Sequence, residues 1–473
     1  MWSWVVMLIA LAGCDLVLGL NRTCDEARFG SECSTCGAAG QACCAAGTTT
    51  CGEGLVCGES TCTACGGVGQ PCCAGETTCG DGLFCGGGTC SECVIDVAPG
   101  RRHMCSLRYD GTVWCSGQNN TAQLGRAPSD ARSATPAQVM GADGAAFGDA
   151  VSLGSGRDHS CAVRRDGTVW CWGRHSEGQL GDNTPPRDSE PVPVQVIQAD
   201  GLPLTNIVSV SAGNCHTCAM DGAGGVACWG CNYAGQLGDG GVAPRPFADP
   251  VLDSTGVPFT GVAELSVAHQ HACARRSDAT AWCWGNNKYG QVGNGMLGDG
   301  TYQPYPAMAL DDVESLGAGS YFTCATRRDG TAWCWGRAFG NRLGDGKDDV
   351  PEDRPRPGRV LEDFGGGPFM HASRISVGSV GCLVTNDTGV WCWGNDQYGT
   401  TGGFNGSSVP APVIDREGNQ LAGVDRLVGH NAHTCAHQTT GRYVCWGRNS
   451  HGELANGTTV NTGRPSTVAL TCP

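Results

Sequence analysis

The chain has 473 residues, which allows one large repeat architecture with an appended module, or several small domains. Its 33 cysteines and 76 glycines, with a charged fraction of only 16%, favour a turn-rich, disulfide-built protein outside the cytosol over a helical cytosolic one. The net charge of -15 and the presence of only two lysines, Lys288 and Lys347, argue against nucleic acid as a partner. Nucleic-acid affinity depends on Lys and Arg side chains that neutralise phosphates.

The N-terminal segment WSWVVMLIALAGC is apolar, is short for a bilayer-spanning helix, and ends in Leu11-Ala12-Gly13-Cys14. This ending resembles the lipobox of bacterial lipoproteins, in which the cysteine is diacylated and becomes the first mature residue. We therefore expect residues 1–13 to be a signal peptide and Cys14 to be the lipid attachment site of an exported, membrane-anchored protein at the cell envelope or surface. No Lys or Arg precedes the apolar run, which continues past Cys14 to Leu20. A cleaved signal peptide on a secreted protein and an uncleaved anchor therefore stay open as alternatives.

After a short tether at 14–35, two similar segments each carry six cysteines: CGAAGQACCAAGTTTCGEGLVCGESTC (36–62) and CGGVGQPCCAGETTCGDGLFCGGGTC (65–90). Neither has enough large apolar residues for a core, so cross-links must stabilise them. Zinc is the alternative, because three pairs have thiolate-ligand spacing: Cys33 with Cys36, Cys62 with Cys65, and Cys90 with Cys93. The adjacent pairs Cys43-Cys44 and Cys72-Cys73 and the lack of His here favour disulfides. We expect residues 36–93 to form a disulfide-rich stalk, and the sequence does not determine which cysteines pair. A small recognition module is the alternative.

From residue 94 onward, a pair of cysteines separated by ten positions recurs seven times, with successive first cysteines 51 to 58 residues apart. Such variation is typical of a fixed unit joined by loops of different length. The pairs are Cys105 with Cys115, Cys161 with Cys171, Cys218 with Cys228, Cys273 with Cys283, Cys324 with Cys334, Cys382 with Cys392, and Cys435 with Cys445.

In the copy CAVRRDGTVWC the midpoint is Asp166, so a three-residue loop at 165–167 places Cys161 opposite Cys171 in an antiparallel hairpin. Gly167 then lies where such a loop needs a left-handed residue. Ala279 and Thr388 take this place in the fourth and sixth copies, which predicts strained or differently shaped loops. Directly opposed residues are close enough for a disulfide, so we expect one in each hairpin. The additional cysteines Cys215 and Cys231 share the register of the third hairpin and predict a second bridge there.

The second cysteine is followed by Trp-Gly in six copies and by Ser116-Gly117 in the first, and then by variants of Asn-x2-Gly-Gln-Leu-Gly, as in NYAGQLGDG (232–240). These elements, recurring in order over residues 94–473, resemble the repeats of the regulator of chromosome condensation family. The resemblance implies an all-β fold: a seven-bladed β-propeller of four-stranded blades, here preceded by the small disulfide-rich module. In such a ring the Trp fills the gap between adjacent sheets.

The two ends of the propeller domain are expected to close the ring. Internal repeats read as a Pro-containing strand such as PVPVQVIQ (191–198), then a strand such as IVSVSAG (207–213), then the hairpin. The C-terminus stops after the first kind of strand, and the propeller begins with the second kind. We therefore predict that strands from both ends complete the seventh blade. Once Cys24 is paired with Cys33, Cys93 and Cys472 are left over as disulfide partners at that junction.

Five copies carry a histidine two residues before the first cysteine: His103, His159, His216, His271 and His433. A ring of imidazoles could indicate a metal or a catalytic base. Equivalent positions around a ring are too far apart to share one ion, however, so we expect structural residues. The sequence has no HExxH, no G-x-S-x-G and no phosphate-binding loop with its Lys. We therefore predict no catalytic residue, metal or cofactor.

These observations predict a monomeric, non-enzymatic scaffold whose propeller presents loops to a protein or polysaccharide at the cell envelope. An enzyme with its site residues on loops is the alternative. Nucleotide exchange on a small GTPase, as the eukaryotic namesake of the family performs, is a further alternative. Export and the missing basic tail argue against it, and the fold alone does not decide, because function belongs to a site.

Overall fold

The computed structural model describes residues 93–347, 352–403 and 406–468, and the backbone of four short strands before residue 93. These strands form two hairpins, β1 (Leu55–Gly58) with β2 (Thr61–Ala64) and β3 (Leu83–Gly86) with β4 (Thr89–Glu92). The expected signal peptide, Cys14, the tether and the rest of the six-cysteine segments lie outside the described residues. In the part of the chain that the structure describes, no helix is long and apolar enough to cross a membrane.

Seven four-stranded antiparallel sheets follow, and each is built from four strands that are consecutive in the sequence. The prediction of an all-β, seven-bladed propeller is therefore confirmed. The first strand of each blade lines the central channel. These innermost strands, from blade 1 to blade 7, are β5 (Val94–Pro99), β9 (Ala150–Ser155), β13 (Ile207–Ala212), β17 (Val262–Val267), β21 (Val313–Ala318), β25 (Ala372–Val377) and β29 (Val424–His430).

The second and third strands of each blade are the cysteine hairpin. Their bounds are β6 (His103–Arg108) and β7 (Val113–Asn119), β10 (His159–Arg164) and β11 (Val169–His175), β14 (His216–Asp221) and β15 (Val226–Gly230), β18 (His271–Arg276) and β19 (Ala281–Asn286), β22 (Phe322–Arg327) and β23 (Ala332–Gly336), β26 (Gly381–Thr385) and β27 (Val390–Gly394), and β30 (His433–Gln438) and β31 (Tyr443–Gly447).

The hairpin register follows the cysteine spacing. Cys161 lies directly opposite Cys171, and the amide of Arg164 donates to the carbonyl of Thr168 over 2.9 Å to close the three-residue loop. Gly167 has a φ of 79°, in the left-handed region. Ala279 and Thr388 have φ values of 65° and 67°, so their loops keep the same shape and carry the steric cost of a Cβ atom there.

The outer strand of each blade is the proline-containing one, and it pairs with the hairpin that precedes it. Proline lacks an N–H donor and is tolerated at a sheet edge, which explains the outer position. The outer strands are β8 (Ser129–Gln138), β12 (Arg187–Gln195), β16 (Arg245–Pro250), β20 (Tyr302–Leu310), β24 (Arg354–Arg359), β28 (Ser407–Pro412) and β32 (Thr462–Thr467).

The predicted sharing of the seventh blade between the two ends of the domain is therefore wrong. The proline-containing strand belongs to the preceding hairpin, so the strands β29 to β32 form a complete blade 7 and the strands β5 to β8 a complete blade 1. The two blades meet through side chains. Arg426 Nη2 lies 3.2 Å from Asp96 Oδ1, and the hydroxyl of Tyr443 donates to the carbonyl of Ile95 over 3.4 Å.

The Trp of each Trp-Gly pair is buried in the seam between its own blade and the preceding one. The indole of Trp172 in blade 2, for example, packs among core residues of blade 1. Blade 1 carries Ser116 at this position, so the seam between blades 7 and 1 has no such indole. The sulfur of Met104 lies there instead, 3.6 Å from Cys435 Sγ. That seam therefore has thioether and polar contacts at a place where the other six seams have an indole.

Candidate functional site

The structure places the sulfur atoms of all the predicted hairpin pairs at bonding distance, with Cα atoms 4.0 to 4.1 Å apart. The two cysteines of each pair lie directly opposite each other in the ladder, as the spacing predicted. From blade 1 to blade 7, the bonded pairs are Cys105 with Cys115, Cys161 with Cys171, Cys218 with Cys228, Cys273 with Cys283, Cys324 with Cys334, Cys382 with Cys392, and Cys435 with Cys445.

The cysteines outside this repeat have different outcomes. Cys215 and Cys231 form the predicted second bridge of blade 3, with Cα atoms 5.5 Å apart. Cys93 is also disulfide-bonded. Its predicted partner Cys472 lies outside the described residues, as does Cys14. The sulfurs of the hairpin pairs are buried, so these pairs are cross-links rather than reactive thiols.

The five repeated histidines lie at the start of the second strands and are buried. Three of them bond a hydroxyl on the next blade through Nε2: His103 to Ser160 over 2.9 Å, His159 to Thr217 over 2.8 Å and His271 to Thr323 over 2.9 Å. Burial is the main cause that lowers the pKa of His103, His159, His216 and His271 to about 3, and it lowers the pKa of His433 well below its usual value. Neutral rings that join neighbouring blades have a structural role.

The hydroxyl that is hydrogen-bonded to each of these three histidines also contacts the glycine-rich motif of the preceding blade. Thr217 Oγ1 donates to the carbonyl of Gln179 over 3.2 Å, and the indole of Trp229 donates to the same carbonyl over 2.9 Å. Because the hydroxyl uses its hydrogen there, the histidine nitrogen is the donor to Thr217. Each seam of this kind therefore fixes the loop that follows the third strand.

One end of the channel is surrounded by the loops that connect the first and second strands. The amide of Arg101 donates to the carbonyl of Gly156 in the next blade over 3.2 Å, and the amide of Arg157 donates to that of Gly213 over 2.9 Å. Similar bonds join Ser320 to Gly378. We call the seven residues at this position the mouth ring: Arg101, Arg157, Asn214, His269, Ser320, Ser379 and Asn431.

A second ring of side chains surrounds the first, formed by the residue after each Trp-Gly or Ser-Gly. Its amide is held by the loop before the second strand: the amide of Arg174 donates to the carbonyl of Asp158 over 2.9 Å, and that of Arg337 to Tyr321 over 2.9 Å. We call these residues the shoulder ring: Gln118, Arg174, Cys231, Asn286, Arg337, Asn395 and Arg448. The two rings and the loop residues between them form the mouth face.

The mouth face is positively charged, whereas the chain as a whole is negatively charged. The two rings, with Arg102 and Asp158 between them, carry six arginines and one aspartate, although the chain has a net charge of -15. Asp158 Oδ2 lies 3.3 Å from Arg157 Nε and 3.7 Å from Arg174 Nη1. Burial, followed by the neighbouring Arg157 and Arg102, lowers the pKa of Arg101. The positive charge is therefore concentrated in blades 1 and 2.

Aromatic side chains cover the opposite side of the mouth, in blades 4 and 5. The guanidinium carbon of Arg337 lies 4.8 Å from the ring centre of Tyr289, 5.6 Å from Tyr321 and 5.3 Å from Phe339. Phe339 is 59% exposed. Tyr321 has a φ of 72°, a costly conformation for a large residue, and such strain is concentrated at functional sites. We call Tyr289, Tyr321, Arg337 and Phe339 the aromatic shelf.

The central channel contains a cavity of about 270 Å³ lined by the innermost strands. Its two acids are partly buried and both are paired, Asp96 with Arg426 and Glu264 with Arg275, whose Nε lies 3.0 Å from Glu264 Oε2. Burial raises the pKa of Asp96 and of Glu264. Among the described residues, no group of three or more His, Cys, Asp and Glu side chains could hold a metal ion.

The sequence interpretation did not single out the mouth face. A usable signal was present in the repeats, because the residues between the loop glycine and the histidine differ in every copy while their neighbours recur. In blades 1 to 3 they read Arg-Arg, Arg-Asp and Asn-Cys. Variable positions inside a fixed frame are typical of a surface that is specific to one protein.

A family model described as the RCC1-like domain matches residues 50–413, more than half of the chain. The chain belongs to the RCC1-like domain family. This RCC1-like protein is 28% identical over 355 residues to the human E3 ubiquitin-protein ligase HERC2, a match that covers 73% of the chain but only 7% of the length of HERC2. It is 26% identical over 382 residues to the ultraviolet-B receptor UVR8 of Arabidopsis thaliana, covering 79% of this chain and 81% of UVR8.

Among solved structures, the RCC1-like propeller matches human WBSCR16 with a TM-score of 0.62 and 18% identity, over 76% of this chain and 94% of that one. At this identity the likeness shows the shared fold alone. The relatives include a receptor and a ubiquitin ligase, and membership in the RCC1-like family supports a scaffold or protein-interaction role for the propeller.

Proposed function

We propose that this protein is an exported, non-enzymatic scaffold at the cell envelope, whose mouth face binds a protein or polysaccharide partner. The observation that carries the proposal is the convergence of loops from all seven blades around the mouth, joined by blade-to-blade hydrogen bonds at five junctions, with arginines on one side and aromatic rings on the other. Arginine and aromatic side chains are the residues most enriched where binding energy is concentrated.

The rigidity of the mouth face supports a binding role. Amide-to-carbonyl bonds from blade to blade join the mouth-ring loops at five of the seven junctions, and further backbone bonds hold six of the seven shoulder-ring residues. Side chains that are already held in place lose little conformational entropy when a partner binds, which increases affinity. The eight disulfides between residues 94 and 468 support export, because such cross-links persist in oxidising compartments.

An enzyme with loop-borne site residues is less well supported. The two acids of the channel are paired, and the repeated histidines lie in the seams with their pKa held low by burial. Nucleotide exchange has no specific observation in its favour.

A pull-down from envelope extract of the source organism tests the proposal with two matched variants. Phe339→Ser removes an exposed ring from the shelf, and Phe364→Ser removes one, 65% exposed, from a loop at the other end of the propeller. We expect a specific partner to be retained by the wild type and by Phe364→Ser but to be lost by Phe339→Ser. Equal retention by both variants contradicts the mouth face as the binding site. Turnover of an envelope substrate by the bait favours the enzyme instead.

A further inference from the structure

The two sides of the mouth differ in chemistry in a way that indicates the class of partner. Blades 1 and 2 supply Arg101, Arg102 and Arg157, and blades 4 and 5 supply the aromatic shelf. His269 of the mouth ring connects the two sides: its ring packs edge-on against Tyr321 with centres 5.0 Å apart, and its pKa is lowered to about 4 by burial and then by Arg157 and Arg101. A ligand that covers the mouth therefore contacts both positive charge and aromatic surface.

The rest of the mouth ring consists of small hydrogen-bonding side chains, namely Asn214, Ser320, Ser379 and Asn431. Hydroxyl and amide groups both donate and accept hydrogen bonds, and they match a ligand with many hydroxyl groups. The cores of protein interfaces are depleted in serine, so the ring is not typical of a protein-binding core.

Three buried polar atoms beneath this face have no hydrogen-bond partner among the described residues: Arg102 Nε, His269 Nδ1 and His430 Nδ1. A buried polar atom without a partner costs stability, so each one in a native structure needs an explanation. Of the three, Arg102 Nε lies on the arginine-rich side of the mouth and is a donor, so an anionic, oxygen-rich ligand would complete its hydrogen bonding.

Resting on the proposed function, we infer that the mouth face binds a carboxylated polysaccharide, with its carboxylates on Arg101 and Arg102 and its sugar rings on the aromatic shelf. Guanidinium and carboxylate form paired, charge-assisted hydrogen bonds. The negative face of an aromatic ring attracts the C–H groups of a sugar. Because the remainder of the protein is acidic, a polyanion is repelled elsewhere, and the reversed charge of the mouth directs it to this face.

The test measures binding of purified full-length protein to polygalacturonate, to its methyl ester and to poly-L-glutamate. The methyl ester keeps the sugar chain and removes the charge, and poly-L-glutamate keeps the charge and removes the sugar. We expect binding to polygalacturonate that weakens with added salt, and little binding to the other two. Absent binding to polygalacturonate, equal binding to the ester, or tighter binding to poly-L-glutamate overturns the inference, and the last result indicates an acidic protein segment instead.

Matched variants locate the site. Arg101→Gln with Arg102→Gln should weaken binding to polygalacturonate about tenfold, because two charge-assisted contacts are lost. Arg328→Gln with Arg416→Gln removes the same charge from exposed positions at the other end of the propeller and should leave binding unchanged. Equal losses in both double variants, with unchanged melting temperatures, overturn the inference. If the envelope pull-down retains a protein through the mouth face while polygalacturonate does not bind, the proposed function stands and the glycan inference fails.

Discussion

His159 Nε2 in blade 2 lies 2.8 Å from Thr217 Oγ1 in blade 3, and the same bond recurs where a histidine faces a hydroxyl on the next blade. Two histidines of the repeat, His216 and His433, lack this bond. Ala272 occupies the hydroxyl position opposite His216, and neither ring nitrogen of His216 has a hydrogen-bond partner in the described structure. Histidine and hydroxyl therefore act as a pair across a seam.

The first prediction restores one pair and removes another. Ala272→Thr should supply the missing partner of His216 and raise the free energy of unfolding by about 1 kcal/mol, the usual net value of a buried hydrogen bond. Thr217→Ala should lower it by about 1 to 3 kcal/mol, because His159 is left buried and unpaired. Urea denaturation of both variants checks this. If Thr217→Ala unfolds at the wild-type urea concentration, the seam bond carries no stability.

The hairpins could be predicted from sequence because a fixed spacing of ten with Gly167 one place past the midpoint leaves one register. The blade boundaries could not be predicted, because a proline-containing strand such as 191–198 can pair with the hairpin before it or after it. Only the folded ring shows which of the two pairings forms. The mouth face was missed for a related reason. Arg101 and Tyr321 are more than 200 residues apart, and only the closed ring brings them to one surface.

The second prediction concerns acid stability. Burial lowers the pKa of His216 to about 3, below its value of about 6.5 in the unfolded chain. Between these values the unfolded state binds the proton and the folded state does not, so stability is lost as the pH falls below about 6.5. His216→Phe, which copies Phe322 at the equivalent place in blade 5, should reduce the fall in melting temperature between pH 7 and pH 5. An unchanged fall assigns the acid sensitivity to other groups.

The third prediction exchanges residues at the left-handed position of the hairpin loop. Ala279→Gly removes the steric cost of a Cβ atom at a φ of 65°, but it also raises the conformational entropy of the unfolded chain. We therefore expect a stabilisation of between zero and about 1 kcal/mol. Gly167→Ala should destabilise by at least about 1 kcal/mol, because a Cβ there lies 2.9 Å from the amide nitrogen of Asn206. Thermal melts give the two shifts, and a destabilising Ala279→Gly would show that the loop is not strained.

The fourth prediction concerns membrane attachment through Cys14, which rests on the lipobox-like LAGC. Cys14→Ala should move the protein from the membrane fraction to the soluble fraction of the envelope and abolish labelling by a fatty-acid analogue. Cys33→Ala, in the tether, should leave the labelling in place and serves as the control. Labelling that survives Cys14→Ala means that the anchor lies elsewhere.

The last prediction is that Cys93 is bonded to Cys472. The sixteen cysteines of the described structure after Cys93 pair with one another, so the partner of Cys93 is not among them. The amide of Val468 bonds the carbonyl of Tyr443 as that of Val196 bonds Val169, and in blade 2 the chain then continues to the innermost strand of the next blade.

For blade 7 the equivalent neighbour is β5, which Cys93 precedes, so we expect Cys472 to come within bonding reach of Cys93. A bridge closing a loop of about 380 residues contributes about 6 kcal/mol in the chain-entropy model, against about 3 kcal/mol for a hairpin pair. It would also reinforce the seam that lacks a Trp. Cys472→Ser should therefore lower the melting temperature more than Cys161→Ser with Cys171→Ser. Non-reducing peptide mapping should recover Cys93 with Cys472, and a Cys93 peptide linked within 24–90, or an equal loss in the hairpin variant, would contradict this closure.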